Sequence, residues 1–134
     1  MMKILQPPGW ARPSGYANGI ATKGGTTVFV AGQVAFNAKN VIEERTFGGQ
    51  IRQTLKNTLA VLAEAGAGPQ HIVRMTWYVT DKKEYLGAIT DVGAAYRELI
   101  GKHYPAMAVV QVSGLIEDEA KLEIETTAVI PEQP

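Results

Sequence analysis

The sequence predicts an α+β fold in which two helices pack on one face of a β-sheet. Three observations lead there. Apolar residues recur with the period of a strand near both ends and in the middle, and with the period of a helix in two intervening segments. Each helical segment carries a single apolar stripe, which has to be buried against the sheet or a neighbouring element. No repeat, low-complexity tract or linker interrupts the 134 residues, so 1–134 reads as one domain. A chain of this length buries roughly two-thirds of its unfolded surface.

Taken in order, residues 1–14 read as an irregular arm, because Pro7, Pro8, Gly9 and Pro13 deny it helix or ladder donors. Thr26–Ala31 is β-branched and aromatic, and Gly24-Gly25 before it predicts a hairpin into that strand. Gly32 marks a bulge or a close backbone approach. From Gly49 to Ala65 the period changes: Ile51, Leu55, Leu59 and Leu62 form one helical stripe, and Gly66 supplies the stop. Ile72–Thr80 alternates, with Val73, Met75, Trp77 and Val79 on one face and Arg74, Thr76, Tyr78 and Thr80 on the other. Asp81 can cap a second helix with the stripe Leu86, Ile89, Gly93, Tyr96 and Ile100, ended by Gly101. Two further strands follow, Met107–Val112 and Lys121–Ile130.

In the last of these strands Glu123 and Glu125 share one face, while Leu122, Ile124 and Ala128 share the other and read as core. Strands are depleted in glutamate, so the pair marks either an exposed sheet face or a site. By alternation the same face is expected to carry Met107, Val109, Gln111, Arg74, Tyr78 and Thr80. Such a mixture is too apolar to be simply solvated and too polar for a private core. Burial against other copies of the chain, with polar groups lining clefts, satisfies both halves of that description.

Composition excludes several functions. Thirteen basic and thirteen acidic side chains cancel, and no run of like charge occurs, so there is no footprint for nucleic acid or an anionic membrane. Without cysteine, disulfides, thiolate chemistry and cysteine-ligated zinc are ruled out. His71 and His103 are isolated, lack metal-site spacing, and read as turn or surface residues. Gly24-Gly25 and Gly48-Gly49 lack the strand-to-helix fingerprint and the lysine of a phosphate loop. Met1–Trp10 has no apolar core of a signal peptide, and no apolar run approaches the roughly 18 residues that span a bilayer. The expectation is a cytoplasmic protein.

Several short landmarks occur in a telling order: Gly15-Tyr16, Val30-Ala31-Gly32-Gln33, Gln53-Thr54-Leu55-Lys56-Asn57, Leu62-Ala63-Glu64-Ala65-Gly66, Tyr78-Val79-Thr80-Asp81, Tyr104-Pro105-Ala106 and Glu123-Ile124-Glu125. Each is weak by itself. Together, from Gly15 to Ile130, they resemble the Rid family, also called YjgF/YER057c/UK114. The resemblance implies a chorismate-mutase-like α+β protomer, a mixed β-sheet with two helices on one face. It also implies a homotrimer with a small-molecule substrate in each of three inter-subunit clefts. Founding members hydrolyse reactive enamines and imines to ammonia and a keto acid, with no cofactor and no metal. In that scheme Glu123 manages water and protons as the catalytic carboxylate. Tyr16 closes the pocket and donates a hydrogen bond. Backbone around Ala31, Gly32 and Val109 lines the rest.

The chain departs from the family where substrate specificity is decided. Founding members have an arginine directly after Pro-Ala, pairing with the substrate carboxylate; here the residue is Met107, apolar and flexible, without charge or donor. Ala31 replaces a serine of many relatives, and the turn Ile116–Ala120 is longer and more acidic than usual. Arg74, on the cleft face, and Arg12, on the arm, are the candidates to replace the lost cation. Other readings of the site stay open: Glu123 as an interface hydrogen-bonder, Tyr16 as simple packing, Glu125 as structural. Three functions follow from the resemblance: an enamine or imine deaminase acting on a substrate other than the usual 2-imino acids, a non-catalytic ligand-binding trimer, and the endoribonuclease or translation-inhibitor activity attached to the family by name. Zero net charge weighs against the last.

Overall fold

The longest helix, α1 (Phe47–Glu64), is capped by Thr46, whose hydroxyl accepts a hydrogen bond from the Gly49 amide in its first turn. The computed structural model describes residues 2–133; positions 1 and 134, the limits of the expected domain, lie outside the described residues. At the far end of α1, Gly66 takes a positive φ of 75°, open to glycine without a Cβ penalty. Ala67 N then donates to Leu62 O and Gly66 N to Ala63 O, satisfying carbonyls that the helix leaves free. Ile51, Leu55 and Leu62 are fully buried, each worth about 1.5–3 kcal/mol over an exposed position.

The sheet beneath α1 has the order β3-β6-β4-β5, from β3 (Thr26–Gln33), β4 (Ile72–Val79), β5 (Ala106–Gln111) and β6 (Leu122–Ile130). β6 runs antiparallel to both β3 and β4, and β4 runs parallel to β5. A parallel pair needs a long crossover, and two helices supply it. Met75, Trp77, Val79, Leu122, Ile124 and Ala128 point into one core with the α1 stripe, as the alternation of both strands requires. Among the described residues no helix is long and apolar enough to cross a membrane.

Four expectations need correction. Residues 1–14 are not irregular throughout: β1 (Met2–Leu5) pairs antiparallel with β2 (Gly19–Thr22). The prolines that argued against a ladder all lie beyond Leu5, where the arm does become irregular. Gly24 and Gly25, at φ 66° and 80°, make a turn but not a hairpin. β2 is committed to β1 and β3 to β6, so the turn passes the chain between two sheets.

The second helix is two. Asp81 caps α2 (Lys82–Gly87) through the amides of Lys83 and Glu84, and α3 (Ile89–Leu99) follows after Ala88. Gly87, a poor helix former, stands at the break. Leu86 and Ile89, expected in the buried stripe, are consequently 52% and 48% exposed, and the buried face of α3 is Val92, Ala95 and Tyr96.

The fourth correction bears directly on the site. Met107, Val109 and Gln111 are in register with Met75, Trp77 and Val79 on the parallel neighbour, so they face the helices. Arg74, Tyr78, Glu123 and Glu125 occupy the opposite face, with Tyr78 paired to Glu123. Alternation within one strand cannot say how two strands are phased; the ladder register decides that.

Candidate functional site

Two sets of the expected site residues form, one on each face of the sheet. The first is built on the β3–β6 ladder. Regular pairing runs from Thr26↔Ile130 to Val30↔Thr126 and resumes at Gln33↔Ile124, so Ala31 and Gly32 form the bulge anticipated at Gly32. Glu125 is the residue opposite the bulge, and the side chain of Glu123, beyond Ile124, reaches over Gly32. A Cβ built on Gly32 would lie 2.8 Å from Glu123 Cδ and closer still to Oε2, inside any tolerated contact. A side chain at residue 32 would therefore displace the carboxylate rather than strain the backbone.

Polar side chains of α1 hold both strands at this point. Asn57 Nδ2 donates to the carbonyls of Val34 (3.0 Å) and Phe36 (2.8 Å), fixing the exit of β3. Buried Gln50 donates to Glu44 O and Glu119 O and accepts from Lys121 N at 2.8 Å, fixing the entry to β6. Gln50 was not singled out from the sequence, where it resembles any surface glutamine. Glu119 forms an ion pair with Arg45 at 3.0 Å, and the acidic turn lines neither cavity of the cleft region.

Glu125 and Glu123 differ in their surroundings. Tyr78 Oη donates to Glu125 Oε1 at 2.6 Å, an assignment that agrees with a structural role for Glu125. That bond, to a carboxylate that would repel a phenolate, pushes the Tyr78 hydroxyl above its ordinary pKa. Glu123 makes no side-chain hydrogen bond among the described residues and retains its acceptor capacity. Arg74 and Ala31 border an open depression of about 440 Å³ on the same face, together with Phe29 and Thr76.

The second set surrounds a cavity of about 540 Å³ between β5, α3 and the N-terminal arm. Ala17 N donates to Pro105 O at 2.9 Å, and Ala17 bridges to Ala106 as a short parallel ladder. This places Tyr16 beside Met107 and Val109, and all three line the cavity. Trp77, Tyr96 and Tyr104 supply aromatic walls, the last two stacked at 5.6 Å and 7°. Tyr96 Oη donates to His103 O at 2.5 Å, and burial pushes its hydroxyl far above the ordinary tyrosine range. Arg97, also on the cavity, was not found by sequence reading. Its only signal was its position four residues after Gly93 on one helix face. Arg12 does not line the cavity.

Both histidines are used locally. His71 Nδ1 accepts from Gly68 N at 2.9 Å, and His103 Nε2 donates to Ile72 O at 2.6 Å. Among the described residues, no group of three or more His, Asp or Glu side chains gathers as a metal site requires.

A four-stranded mixed sheet with helices on one face, a carboxylate over a β-bulge and an arm-closed cavity define a small α+β ligand-cleft protein. The family model described as Endoribonuclease L-PSP matches residues 11–130, and the chain belongs to this family, the YjgF/Rid proteins. It is 32% identical over 133 residues to the RutC family protein slr0709 of Synechocystis, covering 97% of this chain and 98% of that one. It is also 32% identical over 108 residues to a 2-iminobutanoate/2-iminopropanoate deaminase of Escherichia coli, covering 78% and 80%. Among solved structures, the Rid protein YyfB of Yersinia pestis superposes with a TM-score of 0.82 at 32% identity, over 96% of this chain and 98% of that one.

Proposed function

We propose that this protein hydrolyses a reactive enamine or imine to ammonia and a carbonyl compound, acting on a substrate larger and more apolar than the short 2-imino acids. The observation that carries the reading is the Glu123 carboxylate, lying over Gly32 with no side-chain hydrogen bond among the described residues. An imine carbon is already electrophilic, so the reaction needs a positioned water and a base near it. Water oxygen bonds to the imine carbon as Glu123 takes its proton. That proton passes to nitrogen, giving a carbinolamine; its hydroxyl proton then moves to nitrogen through the same carboxylate, the carbon–nitrogen bond breaks, and ammonia leaves as the carbonyl forms. No electrons are exchanged with a cofactor. The relative named as an iminobutanoate and iminopropanoate deaminase supports the reaction class. Met107 and the aromatic walls support the change of substrate.

The site is proposed to be shared between subunits of a homotrimer. Tyr16, Met107 and Val109 lie on one face of the sheet, and Ala31, Gly32 and Glu123 lie at the other. One chain therefore cannot present both sets to one small molecule. A neighbouring copy, docking its Glu123 face beside this cavity, can. Mixing the protein with imines generated by an amino-acid oxidase or dehydratase, and following ammonia release above the spontaneous rate, tests the activity. Tight ligand binding with no acceleration would leave the non-catalytic trimer as the better reading.

A further inference from the structure

We infer that Arg97 binds the anionic end of the substrate in this chain, and that the cavity it borders selects an aromatic carboxylate. The inference deepens the deaminase reading by naming its substrate class, but the binding it asserts does not depend on turnover. On the strand side of the cavity, Met107 offers a carboxylate neither charge nor donor. On the helix side, Arg97 carries five donors in a planar fork suited to a carboxylate.

The exposed Arg97 side chain lies back along the helix over Gly93, where a Cβ would come within 3.2 Å of its Nη1. Glycine is otherwise unfavourable in a helix interior. The neighbouring acid Glu98 pairs with Arg52 of α1, and the Asp91 carboxyl lies over Gly48. No ion pair to Arg97 occurs among the described residues. A ligand in this cavity meets the accessible rings of Tyr16 and Tyr104, with buried Trp77 and Tyr96 behind them, and these reward an aromatic ring over a short alkyl chain. Arg74 is on the opposite sheet face and reaches this cavity only from a neighbouring copy, a case the Arg74→Met variant separates.

The test compares 3-phenylpropanoate with its neutral amide, 3-phenylpropanamide, by calorimetric titration of the intact protein. Neither probe can react, so turnover does not enter. Wild type should bind the carboxylate at least about tenfold more tightly than the amide, the lower end of what a charge-assisted pair provides. Arg97→Met should weaken the carboxylate by about ten- to a hundredfold, leave the amide within about twofold, and Arg97→Lys should fall between. Equal binding of both probes to wild type, no measurable carboxylate binding, or an Arg97→Met variant that keeps the preference would overturn the assignment. Transfer of the effect to Arg74→Met would overturn it as well. Carboxylate preference without ammonia release from any imine would instead sink the deaminase reading and leave Arg97 standing.

Discussion

The Glu123 carboxylate occupies the space where any side chain at residue 32 would begin, so Gly32 and Glu123 form one structural unit across the β3–β6 ladder. Because Gly32 does not need a positive φ, an alanine there is tolerated by the backbone and must act on the carboxylate. Gly32→Ala should therefore keep the fold while displacing Glu123, and lower ammonia release by at least about tenfold. Glu123→Gln preserves shape but not proton transfer, and should cost about 10²–10⁴-fold. Circular dichroism and steady-state kinetics on both variants check this; full activity in either one returns Glu123 to a structural role.

Met107 makes the complementary prediction about specificity. Wild type should act poorly on 2-iminopropanoate-like substrates, which are too small to engage the aromatic walls and find no cation on the strand. Met107→Arg adds a guanidinium in a partly desolvated cavity, worth roughly 1.5–3 kcal/mol to a carboxylate. Activity on such substrates should rise by about one to two orders of magnitude. Ordinary family rates in wild type, unchanged by the arginine, would show that Met107 does not contact the substrate.

The sheet face opposite the helices presents Phe29 at 79% exposure beside Arg74, Thr76 and Glu125. A monomer would leave this ring in water. Sedimentation should show a trimer at micromolar concentration, and Phe29→Glu should shift it toward monomer by placing a charge in the contact. A stable wild-type monomer at that concentration contradicts the proposed assembly and the shared site with it.

The tyrosines set a pH dependence. Tyr96 and Tyr85 are raised by burial, and Tyr78 chiefly by its bond to Glu125. A folded-state pKa above the unfolded value, about 10 for tyrosine, means that the folded chain holds its protons more tightly. Their stabilising effect is complete below about pH 10 and is lost as pH rises from there through the folded values. Denaturant midpoints should fall above pH 10, and Tyr96→Phe should flatten that decline. The same variant should cost about 0.5–1.5 kcal/mol at neutral pH through loss of the bond to His103 O.

The core and its elements were legible in the sequence because period and capping are local properties. Ile51, Leu55 and Leu62 announce α1, Gly66 its end, and Leu122 and Ile124 the buried side of β6. The bulge at Gly32 was legible too, since a glycine inside a β-branched run has few other uses. What the sequence could not hold was any relation between segments distant along the chain. The register of β5 on β4 turned Met107 and Val109 toward the helices, whereas alternation alone had put them beside Glu123. Leu5 precedes the prolines, yet whether Met2–Leu5 forms a strand depended on finding β2 as its partner. Gln50 and Arg97 look like ordinary surface residues in one dimension; only packing shows the first tying β6 to α1 and the second resting over Gly93 at the cavity. Local periodicity decided which residues are helix, strand and core. Long-range register and packing decided which polar groups share a face, and that determines the chemistry.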